Sequence, residues 1–269
     1  MKLGISSYSF TWAIGVPGSL PEKRLNETDL LNIAKDMNLG LVQIADNLPL
    51  HIMPASQLEN LIQKAHEYDI QLEVGSKIMD HDNLEKYIYI AEKIKSKILR
   101  FIIDGDDFKP NITEIISIIR NAESELRKRG ITLALENHDR LLASEYVQIV
   151  EKINSNFVGI CIDCANSLGV GEGFHEVVEQ LAPFAVNFHL KEVYIKRKYH
   201  KMGFDIEGKP FGEGCLPLKW MLEQLPPKCQ TAILEQWTPP EETLQATIIK
   251  EREWADKSIS YLKDFPDFT

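Results

Sequence analysis

The sequence predicts a closed (β/α)8 barrel over residues 1–269. Two patterns carry this expectation. Eight short β-rich runs alternate with longer helical stretches, and the last four runs separate aliphatic from small or polar residues with a period of two. The length of 269 residues suits such a barrel, which commonly needs about 250. No Pro/Gly/Ser-rich linker or break in composition divides the chain, so one domain is expected.

In order, the strands are expected at Lys2–Ser9, Leu41–Asp46, Ile70–Gly75, Ile98–Asp104, Ile131–Asn137, Val158–Asp163, Ala185–Glu192 and Thr231–Trp237. Helical stretches fill the intervals and one follows the last strand. Between Asn111 and Arg129, Ile115, Ile116, Ile118, Ile119 and Leu126 recur at helical spacing; Asn111 or Thr113 can cap the start, and Gly130 follows a basic last turn. The final helix is expected over Glu241–Leu262, after Pro239-Pro240. Strands joined through helices run parallel. An open doubly wound sheet is the rival architecture. Its G-x-G-x-x-G fingerprint is missing after the first strand, and Gly169, Gly171 and Gly173 read as a flexible loop.

Composition excludes several function classes. Lys and Arg total 30 against 40 Asp and Glu, a net charge of −10 that disfavours a phosphate backbone as partner. No apolar run is long enough to span a bilayer, and Ser6, Ser7, Ser9 and Thr11 interrupt any leader core, so a cytoplasmic chain is expected. The four cysteines, Cys161, Cys164, Cys215 and Cys229, do not make a disulfide framework. Cys161-x-x-Cys164 lies within an apolar run rather than at a helix start and has no second pair, so it reads as core. No G-x-S-x-G elbow, Walker A loop or H-E-x-x-H appears.

Face parity locates the candidate chemistry. In the fifth strand Ile131, Leu133 and Leu135 oppose Thr132, Ala134 and Glu136. In the sixth, Val158, Ile160 and Ile162 oppose Gly159, Cys161 and Asp163. In the seventh, Val186, Phe188 and Leu190 oppose Ala185, Asn187, His189 and Lys191. In the eighth, Ala232 and Leu234 oppose Thr231, Ile233, Glu235 and Trp237. The apolar face packs on helices. The other faces the lumen and ends near the strand C-terminus in Glu136, Asp163, His189 and Glu235, at the end of the barrel where catalytic groups sit. Three converging carboxylates repel one another, and one divalent cation resolves the conflict. Oxygen ligands plus one imidazole suit Mn2+, Mg2+ or Co2+, with Zn2+ as a further candidate.

These residues also carry a resemblance. Leu135-Glu136-Asn137-His138, Cys161-Ile162-Asp163-Cys164-Ala165-Asn166, His189-Leu190-Lys191-Glu192, Phe211-Gly212-Glu213-Gly214 and Leu234-Glu235 resemble the motifs of the xylose isomerase-like barrel superfamily. That superfamily holds sugar epimerases, isomerases, dehydratases and type IV AP endonucleases. The resemblance implies that Glu136, Asp163, His189 and Glu235 are metal ligands. It also implies that Glu136 and Glu235 move protons on either face of a keto-sugar whose C–H the metal acidifies. Asn166 stands where many epimerases have His and cannot titrate. The extra histidines of the endonucleases are absent. Trp12-Ala13-Ile14-Gly15-Val16-Pro17-Gly18 and Gln43-Ile44-Ala45-Asp46-Asn47 further resemble the 3-oxo-isoapionate decarboxylase subgroup.

The leading expectation is therefore a metal-dependent isomerase or epimerase of a small, anionic keto-sugar, working through a stabilised enediolate. A decarboxylase of a 3-oxo sugar acid, or a dehydratase, is nearly balanced with it, and a non-catalytic sugar-binding barrel is the reading from another class. Asn166, Lys191, Arg197, Glu73 and Trp12 are the candidate substrate contacts. Arg197 and Lys198 belong to a basic run, Lys196 to Lys201, in the connection after the seventh strand; this run can attract an anionic substrate or remain a solvated loop. Glu73 and Gln43 share the inward parity. Trp12 and Trp237 can wall the pocket or pack structurally, and His138 is expected to support rather than ligate. His51, His66, His81 and His175 have no assigned partner. The partner is a small sugar, with no nucleic acid and no membrane; a homo-oligomer is compatible with the sequence.

Overall fold

Eight parallel strands close on one another in this computed structural model, which describes residues 1–268. The barrel strands are β1 (Lys2–Ser6), β2 (Leu41–Ile44), β3 (Gln71–Lys77), β4 (Ile98–Ile102), β5 (Thr132–Glu136), β6 (Val158–Asp163) and β7 (Ala185–Leu190). After a two-stranded excursion, β8 (Val193–Arg197) and β9 (Phe204–Gly208), the last stave is β10 (Thr231–Leu234). β10 lies between β7 and β1, and β1 pairs with β2, which closes the ring. The helices are α1 (Thr11–Ile14), α2 (Glu27–Asp36), α3 (Ala55–Glu67), α4 (His81–Lys93), α5 (Ile112–Arg129), α6 (Ala143–Ile153), α7 (Phe174–Leu181), α8 (Leu218–Gln224) and α9 (Leu244–Lys263). None of the described helices is long and apolar enough to cross a membrane.

Helix ends follow local chemistry. The Asn111 side chain accepts from Glu114 N and Glu114 reaches back to Asn111 N, a reciprocal cap for α5. Gly130 closes α5 at φ 62°, a left-handed position that glycine adopts without a Cβ penalty. α9 begins at Leu244, later than the Pro-Pro signal suggests, because Thr243 supplies the cap by accepting from Ala246 N.

The outward strand faces pack as the alternation requires. Leu133, Leu135, Ile160, Ile162, Phe188, Leu190, Ala232 and Leu234 join one continuous core with the helices. Each fully buried Leu, Ile or Phe there contributes roughly 1.5–3 kcal/mol. The alternation fails at one place. The register between β6 and β7 slips after Ile160, so that Ile160 pairs with Ala185 but Cys161 pairs with Asn187. Ala185 joins the outer core, while Val186 packs inward on Ala134 and Cys161. A bulge puts two successive residues on one side of a strand, so the parity expected for Ala185 and Val186 is reversed. Beyond the bulge, Asn187 and His189 recover the expected face, with His189 beside Asp163.

The basic run after β7 is not a simple solvated loop. It belongs to the antiparallel hairpin β8–β9, in which Val193 pairs with Gly208 and Arg197 with Phe204.

Candidate metal centre

Strand ends deliver four groups to one point. Glu136 ends β5, Asp163 ends β6, His189 is the penultimate residue of β7 and Glu235 follows β10. One ligand atom from each lies within 4.8 Å of the others, and all four residues are buried. His189 Nδ1 is 3.6 Å from Glu136 Oε2, 3.9 Å from Asp163 Oδ2 and 3.5 Å from Glu235 Oε1. These separations are too long for hydrogen bonds.

The donor set fits a divalent cation. His189 Nδ1 and Glu235 Oε1 are buried with no hydrogen-bond partner, a costly state for isolated polar atoms. Asp163 is oriented by its own loop. Its Oδ1 accepts from Ala165 N at 2.9 Å and Asn166 N at 3.0 Å, which leaves Oδ2 turned to the cluster. Asn137 braces the same turn, donating to Asp163 O and accepting from Asp163 N. Three oxygens and one imidazole nitrogen, without thiolate, make a donor set for a divalent cation.

Two buried cations flank the cluster. Lys191 Nζ is 2.6 Å from Asp163 Oδ2 and 3.0 Å from Glu235 Oε2. Burial opposes its charge, but Asp163, Glu235 and Glu136 outweigh it and raise the ammonium above its ordinary value. Burial alone would raise the Glu235 carboxyl; His189, Lys191 and Arg100 overcome it and hold the group at about 2. Arg100 is 1 % exposed, and no motif in the sequence marks it. Its Nε donates to Glu136 Oε2, and its Nη1 donates to Asp46 Oδ1 at 3.0 Å. Gly75 makes room: a Cβ there would meet Arg100 Cδ at 2.9 Å. Asp46 also accepts from the Tyr8 hydroxyl at 2.9 Å. Strand parity extended to β4 is the signal that finds Arg100, facing inward between outward Leu99 and Phe101.

A cleft of about 380 Å3 opens above the cluster, with Glu136, Glu235, Arg100, Asn166 and Lys191 in its lining. The Asn166 side chain donates to Glu136 Oε1 at 2.9 Å and accepts from Lys191 Nζ at 3.3 Å. Trp237, Leu168 and Ile206 supply apolar wall, and Lys191 Nζ lies 5.2 Å from the Trp237 ring centre. His138 lines the rim and pairs with Asp139.

Three of the residues expected to contact substrate lie outside that lining. Trp12 is fixed against the C-terminal part of the chain, donating from Nε1 to Thr238 O and from its backbone N to Glu251 Oε1. Burial lifts the Glu251 carboxyl to about 7. Glu73 sits deeper in the lumen, fully buried, in a network with Gln43 and Asn187; burial lifts its carboxyl to about 7 against those hydrogen bonds. Arg197 is spent within the hairpin, donating to Lys201 O at 2.7 Å and lying over the Phe204 ring. Lys198 pairs with Asp205 across the same hairpin. Among the other histidines, His51 bonds the Tyr87 hydroxyl and His175 packs on Trp220.

Comparison with known proteins agrees with this architecture. Residues 31–265 match the model of the family described as xylose isomerase-like TIM barrel. The chain belongs to that family. It is 28% identical over 264 residues to a 3-oxo-isoapionate decarboxylase of Pectobacterium atrosepticum, covering 97% of this chain and 95% of the relative. Among solved structures it resembles D-psicose 3-epimerase with D-tagatose from Clostridium cellulolyticum. That match has a TM-score of 0.71 and 14% identity, over 98% of this chain and 99% of the other. It also resembles a xylose isomerase-like TIM barrel protein from Mycobacterium smegmatis in complex with magnesium, with a TM-score of 0.68, 14% identity and 97% of each chain covered. At that identity the two structures speak for the fold alone.

Proposed function

We propose that this family member is a divalent-metal-dependent decarboxylase of a small 3-oxo sugar acid. The carrying observation is the occupation of both glutamates by cationic or amide donors. Glu136 accepts from Arg100 and Asn166, and Glu235 Oε2 lies against Lys191. An epimerase has to lift a proton from carbon with one carboxylate and return one from the other face. Carboxylates held this way are suited to ligation and poorly suited to that work. Loss of carbon dioxide needs no base at the outset. The relative from Pectobacterium atrosepticum, similar along nearly its whole length, supports the same choice.

Each residue then has a definable task. Glu136, Asp163, His189 and Glu235 would hold the ion. When bound, it would place positive charge opposite the substrate's ketone oxygen, where negative charge develops. Lys191, held by Asp163 and Glu235 in the cleft lining, sets its positive charge beside the substrate carboxylate. Asn166, neutral at every pH, presents an amide to a hydroxyl without competing for protons. The bond from the carboxyl carbon to the neighbouring carbon breaks. Its electron pair flows into the ketone to give an enediolate, and carbon dioxide leaves. A proton from solvent then completes the new C–H bond. Trp237, Leu168 and Ile206 form the apolar side of the cleft, a suitable surround for an uncharged leaving group.

The test uses metal-stripped protein, 3-oxo-isoapionate as substrate and Mn2+ added back in D2O. The expected result is metal-dependent carbon dioxide release, with one deuterium in each product molecule. Deuterium entering recovered, intact substrate without carbon dioxide would replace this reading with the isomerase or epimerase. Sugar binding without turnover on a panel of keto-sugars and 3-oxo acids would favour the non-catalytic barrel.

A further inference from the structure

The lumen beneath the cluster holds a closed hydrogen-bond network that the proposed chemistry does not use. His189 Nε2 lies 2.9 Å from Gln43 Oε1. The amide nitrogen of Gln43 donates to Glu73 Oε2 at 3.1 Å and approaches Asn187 Oδ1 at 3.3 Å. Asn187 Nδ2 donates to Glu73 Oε2 at 3.1 Å and to Thr231 Oγ1 at 2.7 Å, while its Oδ1 also accepts from the Cys161 thiol at 3.1 Å. Gln43, Glu73, Cys161 and Asn187 are each fully buried.

We propose that Gln43 is the positioning residue for His189. Its side-chain carbonyl keeps the imidazole proton on Nε2 and so leaves Nδ1 an open lone pair facing the carboxylates.

Donor and acceptor identities around Gln43 fix its orientation. An amide has one acceptor end and one donor end. Turning Gln43 over would set its carbonyl against Asn187 Oδ1, an acceptor whatever the protonation of Glu73, in a site sealed from solvent. Asn187 cannot turn to accommodate it, because its own amide is committed to Glu73 and Thr231. Gln43 therefore meets His189 with an oxygen. That oxygen only accepts, so Nε2 carries the hydrogen. In the neutral ring the second nitrogen is then bare, as a ligand nitrogen must be. The other tautomer would put an N–H where the ion is to be held, blocking ligation, and would leave the Gln43 carbonyl unpaired. This also accounts for a polar side chain on β2 at a position otherwise suited to a core aliphatic.

The inference rests on the metal reading for its purpose, but its test is separable. Metal-free wild-type protein labelled with 15N is observed at pH 9 through long-range 1H–15N correlations of His189. The expected spectrum shows a protonated Nε2 and a bare Nδ1; a ring with its hydrogen on Nδ1 and a bare Nε2 would overturn the proposal. The second experiment titrates Mn2+ alone into wild type and Gln43→Met by calorimetry. The substitution is expected to weaken binding about 10–100-fold and to show both tautomers in the 15N spectrum. Wild-type affinity with an unchanged tautomer would also overturn it. Should Gln43→Met not fold, the wild-type spectrum decides alone. Should wild type bind no Mn2+, the metal reading falls while the spectrum still judges the tautomer.

Discussion

Arg100→Met asks how strongly the barrel interior depends on one buried cation. In the wild type the guanidinium contacts Glu136 and Asp46 while almost wholly shielded from water. Methionine replaces most of the methylene stem, so the packing change is small. Removing the charge leaves the carboxylates without it, and breaking such a buried pair costs about 3–5 kcal/mol. For a chain of this size each kcal/mol moves the melting temperature by about 2–4 °C, so a fall of roughly 6–20 °C is expected. The assay is thermal unfolding followed by circular dichroism on metal-free protein at pH 7.5. Repeating it with Mn2+ at about 100 times its Kd is expected to return up to about 2.7 kcal/mol, because an added cation also relieves Glu136. A melting temperature within about 2 °C of wild type would show that Arg100 does not neutralise these carboxylates and would refute the reasoning.

Other outcomes follow from the same arrangement. Glu136→Gln and Glu235→Gln are each expected to lower kcat by at least about 100-fold with near-native circular dichroism; a wild-type rate in either removes its assigned role. Glu73 retains its proton up to about pH 7 in the fold but ionises near 4.5 when unfolded, so folding is penalised increasingly from pH 4.5 to 7. The penalty is absent below that window and complete above it, reaching about 3 kcal/mol. Glu73→Gln is thus expected to gain stability relative to wild type as pH rises from about 4.5 to about 8 in urea titrations, and a constant difference would contradict this. Arg197→Ala is expected to leave KM within about twofold, since its side chain serves the hairpin; a rise of about tenfold, or about 1.4 kcal/mol of binding, would place it at the substrate.

Period-two alternation makes much of this architecture legible. It separates Leu133 and Leu135 from Glu136, and Ile160 and Ile162 from Asp163, because one barrel face meets helices and the other meets the lumen. It fails at Ala185 and Val186, where a bulge changes the register between two strands and no local signal marks it. Val193–Arg197 and Phe204–Gly208 do alternate in part, but their charges mask a hairpin whose pairing is nonlocal. Arg100 is readable by the same parity, yet a basic residue in a strand has no meaning until Glu136 and Asp46 are known to face it. Glu73 and Gln43 show the limit differently. Alternation gives the face of a strand but not the depth in the lumen, and depth separates a residue in the cleft from one beneath the four-residue cluster.

The most direct measurement is the anomalous difference density of a crystal soaked in Mn2+. One strong peak is expected, in coordination contact with carboxylate oxygens of Glu136, Asp163 and Glu235 and with His189 Nδ1. A peak elsewhere, or none between these four side chains, would contradict the metal centre on which the proposed chemistry depends.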